Sequence, residues 1–170
     1  MKRPDLSRWA PPGLDTGPET RWFLIGWACA AAFACLYYCN RFFSARAELY
    51  DFGYGGPTSV LLPGAVMPDF AALLGGWWIG FAVVAVCALG LAAAHYAYHW
   101  QGGRSIYLMR RLPDRFALHR RCLTLPALGL ALCLLSAAVL LPLFYWLYIS
   151  ATPEECLTPQ QWQKLWSVIR

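Results

Sequence analysis

His95 and His99 stand four residues apart near the end of a long apolar block, a spacing that on a helix presents two imidazoles on one face. Such a pair could serve one metal ion, but a site needs further ligands, and no Asp, Glu or Cys lies close by in the sequence. Tyr96, Tyr98 and Trp100 beside them fit an aromatic belt at a membrane surface better. Ser136 sits inside another apolar block with no His or Lys partner to make it a nucleophile. A phosphate-binding glycine loop, a nucleophile elbow and a metalloprotease helix are all missing from the sequence. The expectation is therefore a non-enzyme with no catalytic residue, cofactor or metal site. Cys29, Cys35, Cys87 and Cys133 lie well inside apolar blocks as small packing residues, and only Cys39 and Cys156 fall where a disulfide could join them.

The elements that carry these residues are set by hydropathy. Of 170 residues 59% are hydrophobic and 14% charged, and the apolar ones come in long blocks, a composition that suits a bilayer better than a water-soluble core. Trp22 to Phe43 makes a first span of about 33 Å, roughly one hydrocarbon core, with Trp22, Tyr37 and Tyr38 as interface aromatics. It begins too late and runs too long for a signal peptide, so an uncleaved span is expected. Phe70 to Tyr98 and Cys122 to Ile149 give the second and third spans, the latter with bends expected at Pro126 and Pro142. The fold class expected is all-α integral membrane, with three transmembrane helices and a short cytoplasmic helix between the second and third.

Around this single membrane domain, residues 21–150, the sequence places an irregular proline-containing arm (1–20) and a tail (151–170). Between the first two spans, Gly53, Gly55, Gly56, Pro57, Pro63 and Pro68 argue for a loop, whose apolar piece Val60 to Met67 dips towards the interface. In the tail, Thr158, Pro159 and Gln161 occupy N-cap, N1 and N3 positions of a short amphipathic helix carrying Trp162, Leu165, Trp166 and Ile169.

The net charge of +5 is local, because six arginines fall between Arg104 and Arg121 against Asp114 alone. This points to a membrane face or an acidic partner rather than nucleic acid. With Lys2, Arg3, Arg8 and Arg21 before the first span, the positive-inside rule puts the arm and second loop in the cytoplasm. The first loop and tail then face outward. Each span has a ridge of small residues that would let helices approach closely: Gly26, Ala30 and Ala34; Ala72, Gly76 and Gly80; Gly129, Cys133 and Ala137. No acid, lysine or arginine sits at the centre of a span, so transport by this chain alone is not expected.

The second loop carries the most specific signal. Gly102 and Gly103 end the second span, Ser105 can cap a short helix, and Pro113 stops it after about two turns. That segment bears four consecutive large apolar residues, Ile106, Tyr107, Leu108 and Met109, followed by Arg110, Arg111, Leu112, Pro113, Asp114 and Arg115. Arginines that merely touch lipid phosphates would explain the charge but not the apolar run. The stretch from Gly103 to Pro126, with its Ser-Ile-Tyr-Leu-Met-Arg-Arg-Leu-Pro-Asp-Arg core and following Leu-His-Arg-Arg-Cys, resembles small bacterial membrane proteins found with ABC transporter components. The resemblance implies a non-catalytic bacterial inner-membrane subunit whose short helix, Ile106 to Arg115, docks as a coupling helix on a separate cytoplasmic ATP-binding protein. Its expected partners are membrane lipid, other membrane subunits and that ATP-binding protein. The alternatives are a membrane scaffold or sensor without a transporter, and a lipid-active enzyme using His95 and His99.

Overall fold

The computed structural model describes residues 16–51, 60–101 and 117–169. The arm before residue 16 and the expected coupling helix, with Ile106 to Arg115, lie outside the described residues.

Helix α1 spans Thr16–Ala47. It starts earlier than the irregular arm expected through residue 20, because Pro18 falls in the first turn, where backbone N–H groups have no intrahelical acceptor to lose. Glu19 in that turn and Arg46 in the last one suit the two ends of the helix dipole. A two-residue antiparallel ladder follows, β1 (Tyr50–Asp51) on β2 (Val60–Leu61), with Tyr50 opposite Leu61.

The second apolar block does not form one helix. α2 covers only Phe70–Leu74 and ends at Gly75, whose φ of +44° and ψ of −116° suit a residue without Cβ. The chain turns through Gly76, Trp77 and Trp78 before α3 begins, Ile79–Gln101. The expected second span from residue 70 is thereby corrected to Ile79–Ala97. α4 runs unbroken over Ala117–Ala151. A 3-10 turn at Glu154–Cys156 leads to α5, Gln161–Ile169.

Among the described residues three helices, α1, α3 and α4, are long and apolar enough to cross a membrane. Many of their large apolar residues are exposed, among them Leu36, Val86, Leu134 and Trp146, while Tyr38, Phe42, Phe144 and Tyr148 are buried. So many large apolar side chains on the outside suit a lipid solvent better than water. The chain is a multi-pass α-helical membrane protein.

Two compact units divide it, residues 1–31 with 80–136, and 32–79 with 137–170. In the first unit a Cβ on Gly80 would lie 3.1 Å from the Ala30 Cα, so α3 meets α1 backbone to backbone there. Gly129 of α4 likewise receives the Phe23 ring. Trp27 Nε1 donates to Ser136 Oγ at 2.9 Å, and Ser136 donates in turn to the Leu132 carbonyl at 2.7 Å. In the second unit the core is aromatic. Tyr38 is fully buried, stacks on Phe144 with centroids 4.3 Å apart, and donates to the Phe144 carbonyl at 2.9 Å. Phe42, Phe70 and Tyr148 complete the cluster, and Tyr148 donates to the Pro68 carbonyl. Tyr38, expected at the interface, is therefore a core residue.

Candidate functional site

The first unit holds a polar node that begins with a proline. In α4 the carbonyl of Cys122 would normally accept from the residue four positions on, but that residue is Pro126, which has no N–H. His95 of α3 supplies the contact instead, its Nδ1 standing 3.4 Å from the Cys122 oxygen. The other ring nitrogen, Nε2, lies 3.1 Å from Glu19 Oε2 on α1. A carbonyl only accepts, so a hydrogen bond to the Cys122 oxygen requires the hydrogen on Nδ1.

One residue further along α3, Tyr96 Oη lies 2.8 Å from His119 Nδ1 near the start of α4. The two contacts, His95 to Cys122 and Tyr96 to His119, tie α3 to α4 on either side of the arginine-rich loop. The described base of that loop is a pinned frame.

His95 is thus buried between α1 and α4, with a neighbour at each ring nitrogen, rather than placed in an aromatic belt. The missing acid that argued against a site is Glu19, which helix packing brings from 76 residues away. Among the described residues no group of three or more His, Cys, Asp or Glu side chains is placed to hold a metal ion. The His99 side chain and the whole coupling segment, Ile106, Tyr107, Leu108, Met109, Arg110, Arg111, Leu112, Pro113, Asp114 and Arg115, lie outside the description.

The small-residue ridges divide. Gly80 and Ala30 meet each other, Gly26 faces Val84 with a virtual Cβ contact of 3.9 Å, and Gly129 faces Phe23. Ala34 and Cys133 are buried in their helices, whereas Ala137 is half-buried. Ala72 and Gly76 belong to α2 and the turn after it rather than to the spanning helix. Gly76 meets the Tyr37 hydroxyl and its neighbour Ile79.

A second polar cluster closes the tail on α2. Asp69 Oδ1 accepts from Thr158 Oγ1 at 2.9 Å, Gln161 Nε2 at 3.1 Å and Lys164 Nζ at 2.8 Å. Gln161 Oε1 accepts from the Phe70 amide, and its amide nitrogen also contacts Thr158. Thr158 and Gln161 were expected to cap their own helix. Instead α5 begins at Gln161, after Gln160 with φ of +61°, and both side chains reach across to the start of α2. The Lys164 ammonium and the Thr158 hydroxyl hold the Asp69 carboxyl below the usual carboxylate range. Cys156 is buried, its carbonyl accepts from the Met67 amide, and all seven cysteines are free thiols, so the possible Cys39 to Cys156 disulfide is not formed.

The fold and these clusters define an α-helical membrane protein held by polar ties between its helices. No family model, curated protein or solved structure matches the chain.

Proposed function

We infer that the chain is a non-catalytic membrane subunit of a bacterial ABC-type transporter, presenting the loop between α3 and α4 to a separate ATP-binding protein. The observation that carries this reading is the pinned frame at the loop's base, where Tyr96 meets His119 and His95 meets Cys122. A docking element transmits force only if its ends are held, and four large apolar residues followed by arginines give it an anchor and a charged rim. With the amino terminus inside and the tail outside, that loop faces the cytoplasm, where ATP is available.

The test is purification of the tagged full-length chain in mild detergent, followed by identification of what stays bound. An ATP-binding chain retained in fixed ratio supports the reading. Its absence, with other membrane proteins retained, favours a scaffold or sensor. Lipid turnover by the chain alone would favour the enzyme alternative instead.

A further inference from the structure

Tyr37 and Arg41 stand one turn apart on α1, beside the Gly75–Gly76 turn of the same unit. Arg41 Nη1 donates to Tyr37 Oη at 3.0 Å, and the Gly76 amide donates to the same oxygen at 3.1 Å. A phenol oxygen has two acceptor positions, so both are filled and its hydrogen remains to donate outward. The guanidinium carbon lies 5.7 Å from the Tyr37 ring centroid, held over the ring face. It has spent one of its five N–H groups on Tyr37, and among the described residues no carboxylate pairs with it.

Gly75 makes the space. A Cβ there would lie 2.7 Å from Arg41 Nη1 and 2.8 Å from Tyr37 Oη, and the residue's positive φ already disfavours any side chain. The result is a set of converging donors with no acceptor among them, on an exposed arginine at the exit of the first span. Trp78, exposed just before α3, marks the same zone as one where indole rings meet headgroups.

We propose that Arg41 and Tyr37, seated on the Gly75–Gly76 turn, form a binding site for the phosphate of an anionic lipid headgroup. The planar guanidinium can give two parallel N–H bonds to a phosphate, and the Tyr37 hydroxyl a third. A free phosphate ion shares this chemistry. The site is independent of the transporter reading and belongs to the chain whatever its partners are.

The test uses the full chain in mild detergent, with retained lipid counted by native mass spectrometry during titration with phosphatidylglycerol, and with inorganic phosphate in a parallel arm. Arg41→Gln should weaken phosphatidylglycerol binding roughly tenfold, the scale of one lost charge-assisted bond. Arg46→Gln, which removes the same charge nearby, should change it little. Gly75→Ala should weaken binding while every charge is retained, because the methyl group displaces the guanidinium. Thermal unfolding of each variant shows that the chain still folds, and Arg41, being exposed, can be replaced without a packing penalty. Competition by millimolar inorganic phosphate would assign the same donors to a soluble phosphate, and its failure to compete would assign them to lipid. Equal binding by the parent and Arg41→Gln, or equal losses for Arg41→Gln and Arg46→Gln with Gly75→Ala unaffected, would overturn the proposal by leaving only diffuse charge attraction.

Discussion

Pro126 removes one N–H from α4, and the consequence reaches two other helices. The Cys122 carbonyl needs a donor, His95 provides it, and Glu19 then completes the imidazole. His95→Ala should destabilise the protein by about 1–3 kcal/mol, the cost of leaving the buried Cys122 carbonyl without a partner. In a Pro126→Ala background the helix supplies its own N–H to Cys122, and the same His95→Ala change should cost less. Reversible unfolding in detergent measures both steps of the cycle, and equal costs in the two backgrounds would break the link between the proline and the histidine. Asp69 gives a second residue-scale prediction. Its pKa is lowered in the fold, so its contribution is fully present above the ordinary carboxylate value and is lost as the pH falls through the lower, folded value. Protease nicking between α4 and α5 should therefore rise only below about pH 4, and Asp69→Ala should give the same sensitivity at neutral pH. Neither tie was visible in the sequence, since the partners are 76 and 95 residues apart. A signal for the first was present in Pro126 itself, whose place four residues after Cys122 announces a carbonyl in need of a donor.

At the scale of elements, long uncharged blocks announced the three spanning helices, because a bilayer demands length and low charge more than any particular pattern. The break after α2 was not announced, although Gly75 and Gly76 stood in plain view, since paired glycines are also ordinary in membrane helices. What decides between a ridge and a turn is the tertiary contact, here Tyr37 and Arg41 filling the space a Cβ would take. The same distinction orders the ridge glycines. Gly80→Leu must force α3 away from the Ala30 backbone and should cost about 1–3 kcal/mol, as overpacking usually does. Gly90→Leu, with nothing within 4 Å of its virtual Cβ, should be nearly neutral. Thermal unfolding in detergent compares them directly, and similar losses at both positions would mean that close packing at Gly80 is not what sets the cost. Gly76→Leu should act differently again, crowding the Ile79 side chain, 2.8 Å from its virtual Cβ, rather than a neighbouring helix backbone.

For the whole molecule, orientation determines which clusters meet which compartment. Cysteines introduced at positions 56 and 103, in a background without reactive native thiols, should label from outside at the first and only from inside at the second. The reverse pattern would put the arginine loop outside and remove the docking proposal with it. The tail expected as an amphipathic helix is held on α2 through Asp69, with Leu165 buried and Trp162 against Tyr145 at 5.0 Å between ring centroids. That association was beyond the sequence because a helix with one apolar face announces that something covers it without saying what.

The central claim is that the loop between α3 and α4 is read by a shaped cytoplasmic partner rather than by lipid charge. A groove should notice Tyr107 and Leu108 even when every arginine is kept, whereas lipid should respond mainly to the number of charges. The deciding measurement compares Tyr107→Ala with Leu108→Ala against Arg110→Lys with Arg111→Lys, as retention of the ATP-binding partner and ATPase activity of the assembled complex at equal membrane abundance. Loss of both with the apolar pair, and a smaller loss with the charge-conserving pair, is the predicted result. Unchanged retention and ATPase activity for both pairs would contradict it and leave an ordinary positive-inside loop.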